Sequence, residues 1–392
     1  MSTTRRICIA TGTRADWGLL QPLAERLRAD TGTDLRILAT NMHLLEKYGA
    51  TVSEIEAAGF AVDERVPIPD GGGGESTEAC ALAAAACLEG TARAFGRMRP
   101  DAVVILGDRY EMLAVATAAA LTHIPIIHIS GGEVTEGAMD DSIRHAITKL
   151  ASLHLTATEP YRRRVIQMGE QPDRVVNIGA LGVWNAFNQQ LPTAAEVLGS
   201  LGIADGRDIA LVTFHPATLD PEDPGIRFDA LTEALDRFED LHIIVTYPNS
   251  DPRSGAIIDR IAAWEERRPE AVTAVRSLGM KRYLAASALA KVVVGNSSSG
   301  VVEVPSAGTP TVDIGIRQKG RIAAPSVIHC GDSANDIARA IDRALSDEMQ
   351  QLAAARENPY GRPDTVELAA RTITEFVNSS DHAPKRFYDL TC

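Results

Sequence analysis

Apolar residues along this chain cluster in short, β-branched runs, each followed by a longer stretch whose apolar positions lie three and four apart. Runs of the first kind read as buried parallel strands, and stretches of the second as helices covering both faces of a sheet. Strands are expected at residues 7–10, 35–39, 102–106, 124–129, 153–157 and 175–178. Helices are expected at about 18–30, 52–58, 78–98, 111–122, 141–150 and 159–168. The alternation lapses between Val183 and Arg207, where Asn185, Asn188, Gln189, Gln190 and Pro192 interrupt it. It then resumes, with strands at 209–213, 241–245, 272–275, 291–294 and 311–314. A last helix at 365–378 follows the turn-forming segment 358–363 and can cross back onto the first half. The expected fold is α/β, with two doubly wound Rossmann-like domains facing a central cleft. Residues 1–183 form the first domain, 184–364 the second, and 365–392 a terminal helix and tail.

Composition narrows the function classes. The 392 residues are 45% hydrophobic and 23% charged, with no apolar run long enough for a membrane span. The start, residues 1–6, leads straight into a short apolar strand rather than a signal-peptide core, so a cytoplasmic protein is expected. Five cysteines lack metal-ligand spacing, which points to incidental thiols. A formal net charge of -13 excludes nucleic acid as the expected partner, so an anionic substrate must be met locally by arginines and helix ends. The four glycines at 71–74 lack the Lys-Ser/Thr of a P-loop and read as a mobile loop.

The stretch Gly295-Asn296-Ser297-Ser298-Ser299-Gly300 ends one expected strand and opens a helix. Such a start offers unpaired N–H groups beside the positive end of the helix dipole, which suits phosphate oxygens. Glu303, one turn later, suits a ribose diol, so the pair suggests a nucleoside diphosphate. A serine triplet alone would equally be an ordinary helix cap.

Other polar clusters share that location. Asp108 and Arg109 follow one strand; His128 and Glu133 follow the next; His215 and Asn249 end two strands of the second half. Asp140 and Asp141 open a helix with Arg144 and His145 one turn on. Each has a bland explanation as an ion pair, cap or core histidine. Their repetition on one rim of each sheet favours a shared site. Neither a Gly-X-Ser-X-Gly elbow nor an HExxH motif is present.

Seven motifs together carry a resemblance: GTRAD at 12–16, GDRYE at 107–111, GGE at 131–133, DDSIRHAITKL at 140–150, FHP at 214–216, GNSSSG at 295–300 and RQKGR at 317–321. In this combination and order the sequence resembles the hydrolysing UDP-N-acetylglucosamine 2-epimerases of bacterial sialic-acid pathways, with a weaker trace in the terminal KRFYDL at 385–390. The resemblance implies a GT-B-like architecture, a UDP-sugar substrate, no metal or redox cofactor, and a homodimer or homotetramer. It implies elimination of UDP across C1 and C2, then hydration with inversion at C2. Catalytic positions are then Asp108, Glu133, Asp140 or Asp141, and His215. UDP contacts are Arg14, Arg109, His215, Asn249, Ser297, Ser298, Ser299, Gly300, Glu303, Arg317 and Arg321; sugar contacts are Glu133, Arg144 and His145. A closely similar branch takes UDP-2,4-diacetamido-2,4,6-trideoxyglucose. Non-hydrolysing epimerases, GT-B glycosyltransferases and a catalytically silent UDP-sugar-binding regulator are further alternatives.

Overall fold

The computed structural model describes residues 4–69, 77–203, 207–249, 251–379 and 385–390, so the tetraglycine stretch lies outside the described residues. Two parallel sheets organise them. The first contains β1 (Arg5–Thr11), β2 (Thr33–Thr40), β3 (Glu64–Val66), β4 (Ala102–Leu106), β5 (Ile126–Ile129), β6 (Leu153–Thr156) and β7 (Val175–Asn177), in the order β3-β2-β1-β4-β5-β6-β7. The second contains β8 (Asp208–Thr213), β9 (Leu241–Thr246), β10 (Val272–Val275), β11 (Val292–Gly295), β12 (Thr311–Ile314) and β13 (Val327–Cys330), in the order β10-β9-β8-β11-β12-β13. The architecture is the GT-B-like pair of doubly wound sheets. Strand order reverses beside β1 and β4 in the first sheet, and beside β8 and β11 in the second. Crevices open outside the C-terminal ends of strands at such reversals.

Most elements lie where periodicity puts them, with shifts at the ends. The first helix spans Arg14–Arg28, starting earlier than expected because Thr13 and Asp16 form a capping box. The edge strands β3 and β13 are additions. The expected boundary after residue 183 falls inside the helix Leu181–Asn188.

The first core is completed by the end of the chain. In the helix Thr365–Asn378, Val366, Ala369, Ala370, Ile373, Phe376 and Val377 recur on one face and pack with Leu20, Leu23 and Leu27 over Ile7 and Ile9. Each fully buried large apolar side chain contributes about 1.5–3 kcal/mol. The second core, around Val212, Ile243, Val294 and Ile341, draws on residues 210–349 alone. A smaller apolar cluster of Tyr161, Val183, Val302 and Tyr360 joins the halves, with the two tyrosine hydroxyls 2.9 Å apart. No helix among the described residues is long and apolar enough to cross a membrane.

Candidate active site

The end of β11 meets the end of β8 with no space for a side chain. Gly295 adopts φ +146, and a Cβ there would lie 2.0 Å from the Thr213 carbonyl oxygen. The next residue, Asn296, is buried and locks the two strand ends together. Its Oδ1 accepts the His215 N–H at 2.7 Å, and its Nδ2 donates to the His215 carbonyl at 2.8 Å. The Asn249 N–H donates to His215 Nδ1 at 3.2 Å. That bond assigns the neutral ring proton to Nε2. Burial, reinforced by Arg317, pushes the imidazole down to about 3, so His215 presents an N–H rather than a charge.

The serine turn is shorter than the sequence suggests. Ser297 caps a helix of only five residues, Ser298–Val302, its Oγ accepting the Ser299 N–H; Glu303 then breaks the path before Val304–Ala307. Ser299 Oγ lies 2.6 Å from the Tyr283 hydroxyl and 3.0 Å from Ser297 Oγ. Gly300 is turned toward β12, where a Cβ would meet Thr311 Cγ2 at 2.9 Å. A cavity of about 210 Å³ opens here, lined among others by Arg14, His215, Asn249, Ser297, Ser298, Ser299, Glu303 and Arg317. Its positive charge comes from both halves. Arg14 follows β1 and donates to the Arg276 carbonyl at 2.7 Å; Arg317 donates to the Asn296 carbonyl at 3.0 Å.

Glu303 is half-buried and packs against Gly182. A Cβ at Gly182 would lie 2.1 Å from Glu303 Oε1, and among the described residues the buried Glu303 Oε2 has no hydrogen-bond partner. Burial pushes this carboxyl up to about 7, against the pull of Arg321. An unpartnered buried oxygen facing a cavity is a vacancy for a donor group.

The carboxylates gather beyond the cavity around Arg144, which is 1% exposed. Its guanidinium pairs with Asp108 and donates to Asp141 Oδ1 at 3.1 Å, the Glu133 carbonyl at 2.9 Å and Thr135 Oγ1 at 3.0 Å. Burial alone would raise Asp108, but Arg144, backed by Arg321 and Arg317, outweighs it and holds the carboxyl below the usual range. Asp140 behaves oppositely. Burial, reinforced by the charges of Asp108 and Asp251, pushes it up to about 7. Among the described residues the Asp140 side chain makes no hydrogen bond. Asp141, in contrast, accepts the Thr135 N–H at 2.6 Å and faces His145 Nε2 at 3.5 Å, so it anchors the loop before its helix.

Three loops close the cleft. Arg321 reaches Glu133 Oε2 at 2.7 Å, the Glu136 N–H donates to the Lys319 carbonyl at 3.1 Å, and the Met139 N–H donates to Thr218 Oγ1 at 2.9 Å. Arg109 does not line the cavity; it links Glu111 at 2.8 Å to Asp251 at 3.1 Å across the two halves. Asp251 Oδ2 faces His215 Nδ1 at 3.8 Å and Arg317 at 4.0 Å. Burial works to raise Asp251, but Arg109, Arg317 and His215 outweigh it and lower the carboxyl. Sequence reasoning did not single out Glu111, Asp251 or Asn296 as site residues. Glu111 and Asn296 lie inside the motifs GDRYE and GNSSSG, and Asp251 lies two residues beyond Asn249, so position at a strand end is the signal that could have found them.

A family model described as UDP-N-acetylglucosamine 2-epimerase matches residues 25–374. The chain is 34% identical over 386 residues to the GDP/UDP-N,N'-diacetylbacillosamine 2-epimerase (hydrolyzing) of Campylobacter jejuni, covering 98% of this chain and 99% of that one. It is 35% identical over 388 residues to polysialic acid biosynthesis protein P7 of Escherichia coli, covering 98% of each. The fold matches the Neisseria meningitidis UDP-GlcNAc 2-epimerase crystal structure bound to UDP-GlcNAc, with a TM-score of 0.76 at 16% identity, over 94% of this chain and 100% of that one. Motifs, paired sheets, cleft and full-length relatives agree, and the chain belongs to the UDP-N-acetylglucosamine 2-epimerase family.

Proposed function

We propose that the protein is a hydrolysing 2-epimerase that converts UDP-N-acetylglucosamine and water to N-acetylmannosamine and UDP. One observation carries this reading: two neighbouring carboxyls, Asp108 and Asp140, are shifted in opposite directions beside an arginine-lined cavity. Pairs of titratable groups pushed apart mark acid and base. Asp108, held ionised, takes the C2 proton as the C1–O bond breaks and UDP departs, leaving 2-acetamidoglucal. Asp140, pushed up to about 7 and so protonated in part at neutral pH, delivers its proton to the opposite face of C2. Water then adds at C1, returning a proton to Asp140, while Asp108 releases its own to solvent. Glu133, paired with Arg321, orients the sugar together with Arg144 and His145. Arg14, Arg317, the His215 Nε2–H and the serine turn stabilise the leaving diphosphate, and the open Glu303 oxygen accepts from the ribose diol.

A second substrate, UDP-2,4-diacetamido-2,4,6-trideoxyglucose, is supported by the name of the Campylobacter relative, since that sugar is N,N'-diacetylbacillosamine. The test is proton NMR in deuterated water with each UDP-sugar. Release of UDP with N-acetylmannosamine deuterated at C2 is the expected result. Consumption of the diacetamido sugar alone moves the assignment to the second substrate. Formation of UDP-N-acetylmannosamine, or no turnover of either sugar, overturns the hydrolytic reading.

A further inference from the structure

The helix Asp140–Leu150 bears Asp140, Asp141 and Arg144 on its first turns, and its other end is held by a distant piece of chain. Lys385 Nζ donates to the carbonyls of Lys149 at 2.6 Å, Ala151 at 2.7 Å and Thr148 at 3.3 Å. All three carbonyls belong to the helix C-terminus and its cap, where the dipole also favours a cation, although the Thr148 carbonyl additionally accepts the Ala151 N–H. The same ammonium meets Glu170 Oε2 at 2.7 Å. Glu170 is nearly fully buried and collects Lys149 at 2.6 Å and His154 at 2.9 Å as well.

The next tail residues are seated too. Phe387 lies against Gly169, where a Cβ would come 2.3 Å from the ring, and the Lys149 ammonium sits 4.8 Å from its centroid. The Tyr388 N–H donates to the Gly169 carbonyl at 2.8 Å. Gly169 adopts φ +89, so glycine serves both its backbone and the seat of Phe387.

From the held end a short chain of contacts runs back to the carboxylates. Thr148 Oγ1 lies 3.2 Å from His128 Nδ1, and His128 Nε2 donates to the Gly107 carbonyl at 2.8 Å. Gly107 immediately precedes Asp108. Both ends of the Asp108–Asp140 pair are therefore referenced to the turn that Lys385 ties down.

We propose that the tail segment 385–388 is a positioning strap for the acid–base pair, with Lys385 as its positioning residue, a role that rests on the hydrolytic reading above. Among the described residues Lys385 bonds only to Thr148, Lys149, Ala151 and Glu170, away from the cleft, so losing it leaves substrate binding intact and loosens the geometry of proton transfer. A displacement of about 1 Å at reacting groups costs on the order of 100-fold in rate.

The test compares wild type with Lys385→Met, Lys385→Arg and Phe387→Ala, measuring kcat and KM, UDP affinity by calorimetry, and amide hydrogen exchange of residues 144–151. Lys385→Met should lower kcat about 10- to 100-fold with KM and UDP affinity within about twofold, and Lys385→Arg should restore most of the loss. Faster exchange over 144–151 should accompany it, a readout independent of turnover. An unchanged kcat, a loss confined to KM, an arginine variant no better than methionine, or unaltered exchange each overturns the strap. If Lys385→Met does not fold, Phe387→Ala carries the same comparison. A wild-type protein inactive on every UDP-sugar sinks the proposed function instead, and the exchange measurement still decides the strap.

Discussion

Arg321 and Glu133 meet across the cleft, Nη2 to Oε2 at 2.7 Å, with side chains 7% and 8% exposed. Removing one member strands a buried charge. Glu133→Gln and Arg321→Met should each destabilise the fold by about 3–5 kcal/mol, while the double variant recovers much of the loss. Urea unfolding of the cycle checks this. Additive single losses would mean that the two residues do not act as a pair.

Asp108→Asn keeps size and loses charge. Turnover should fall below detection, with UDP affinity by calorimetry within about threefold of wild type, since Asp108 does not line the cavity. A large loss of UDP binding would assign Asp108 a ground-state role.

Asp140, pushed up to about 7, holds its proton below that pH and loses it above. If its protonated form delivers the C2 proton, kcat/KM declines as pH rises through about 7. Asp140→Asn should remove that limb along with most activity. A profile flat from pH 6 to 8 in the wild type contradicts the assignment.

Glu303 is also raised to about 7, whereas a glutamate in an unfolded chain titrates near 4.3. Its contribution to stability is full below about pH 4 and is lost as pH rises through 7, because the folded state must then bury an ionised carboxylate. Glu303→Gln should therefore melt above wild type at pH 8, with the gap largely closed by pH 5. Thermal melts at the two pH values test the sign.

Gly182→Ala would drive a methyl to 2.1 Å from Glu303 Oε1. A flexible carboxylate can yield, so the fold should persist while UDP binding weakens several-fold. Calorimetry with UDP decides; unchanged affinity would remove Glu303 from the ribose role.

Much of this was legible in the sequence. Strands 102–106, 272–275 and 311–314 and the helix 365–378 have the predicted bounds, because long apolar periodicity survives any tertiary context. The strand β3 was not legible, for Glu64-Arg65-Val66 carries two charges at a sheet edge. Nor was β13, where Val-Ile-His-Cys offers two apolar residues and no alternation. The motifs located both rims of the cleft. What they could not supply was pairing at long separation: Arg109 with Asp251, or Arg144 dividing itself among Asp108, Asp141 and the Glu133 carbonyl. The proposed choice of Asp140 over Asp141 rests on surroundings that no local pattern encodes.

The helix Thr365–Asn378, which completes the first hydrophobic core, leaves the ribosome after every residue of the second core. The second core uses residues 210–349 and can close before that helix has docked. Order of maturation is thus inverted relative to order of synthesis, against the usual N-terminal-first habit of multidomain chains. A chain ended at residue 364 and released would hold the whole second core and an N-terminal half with its apolar face still uncovered, the species a chaperone would grasp.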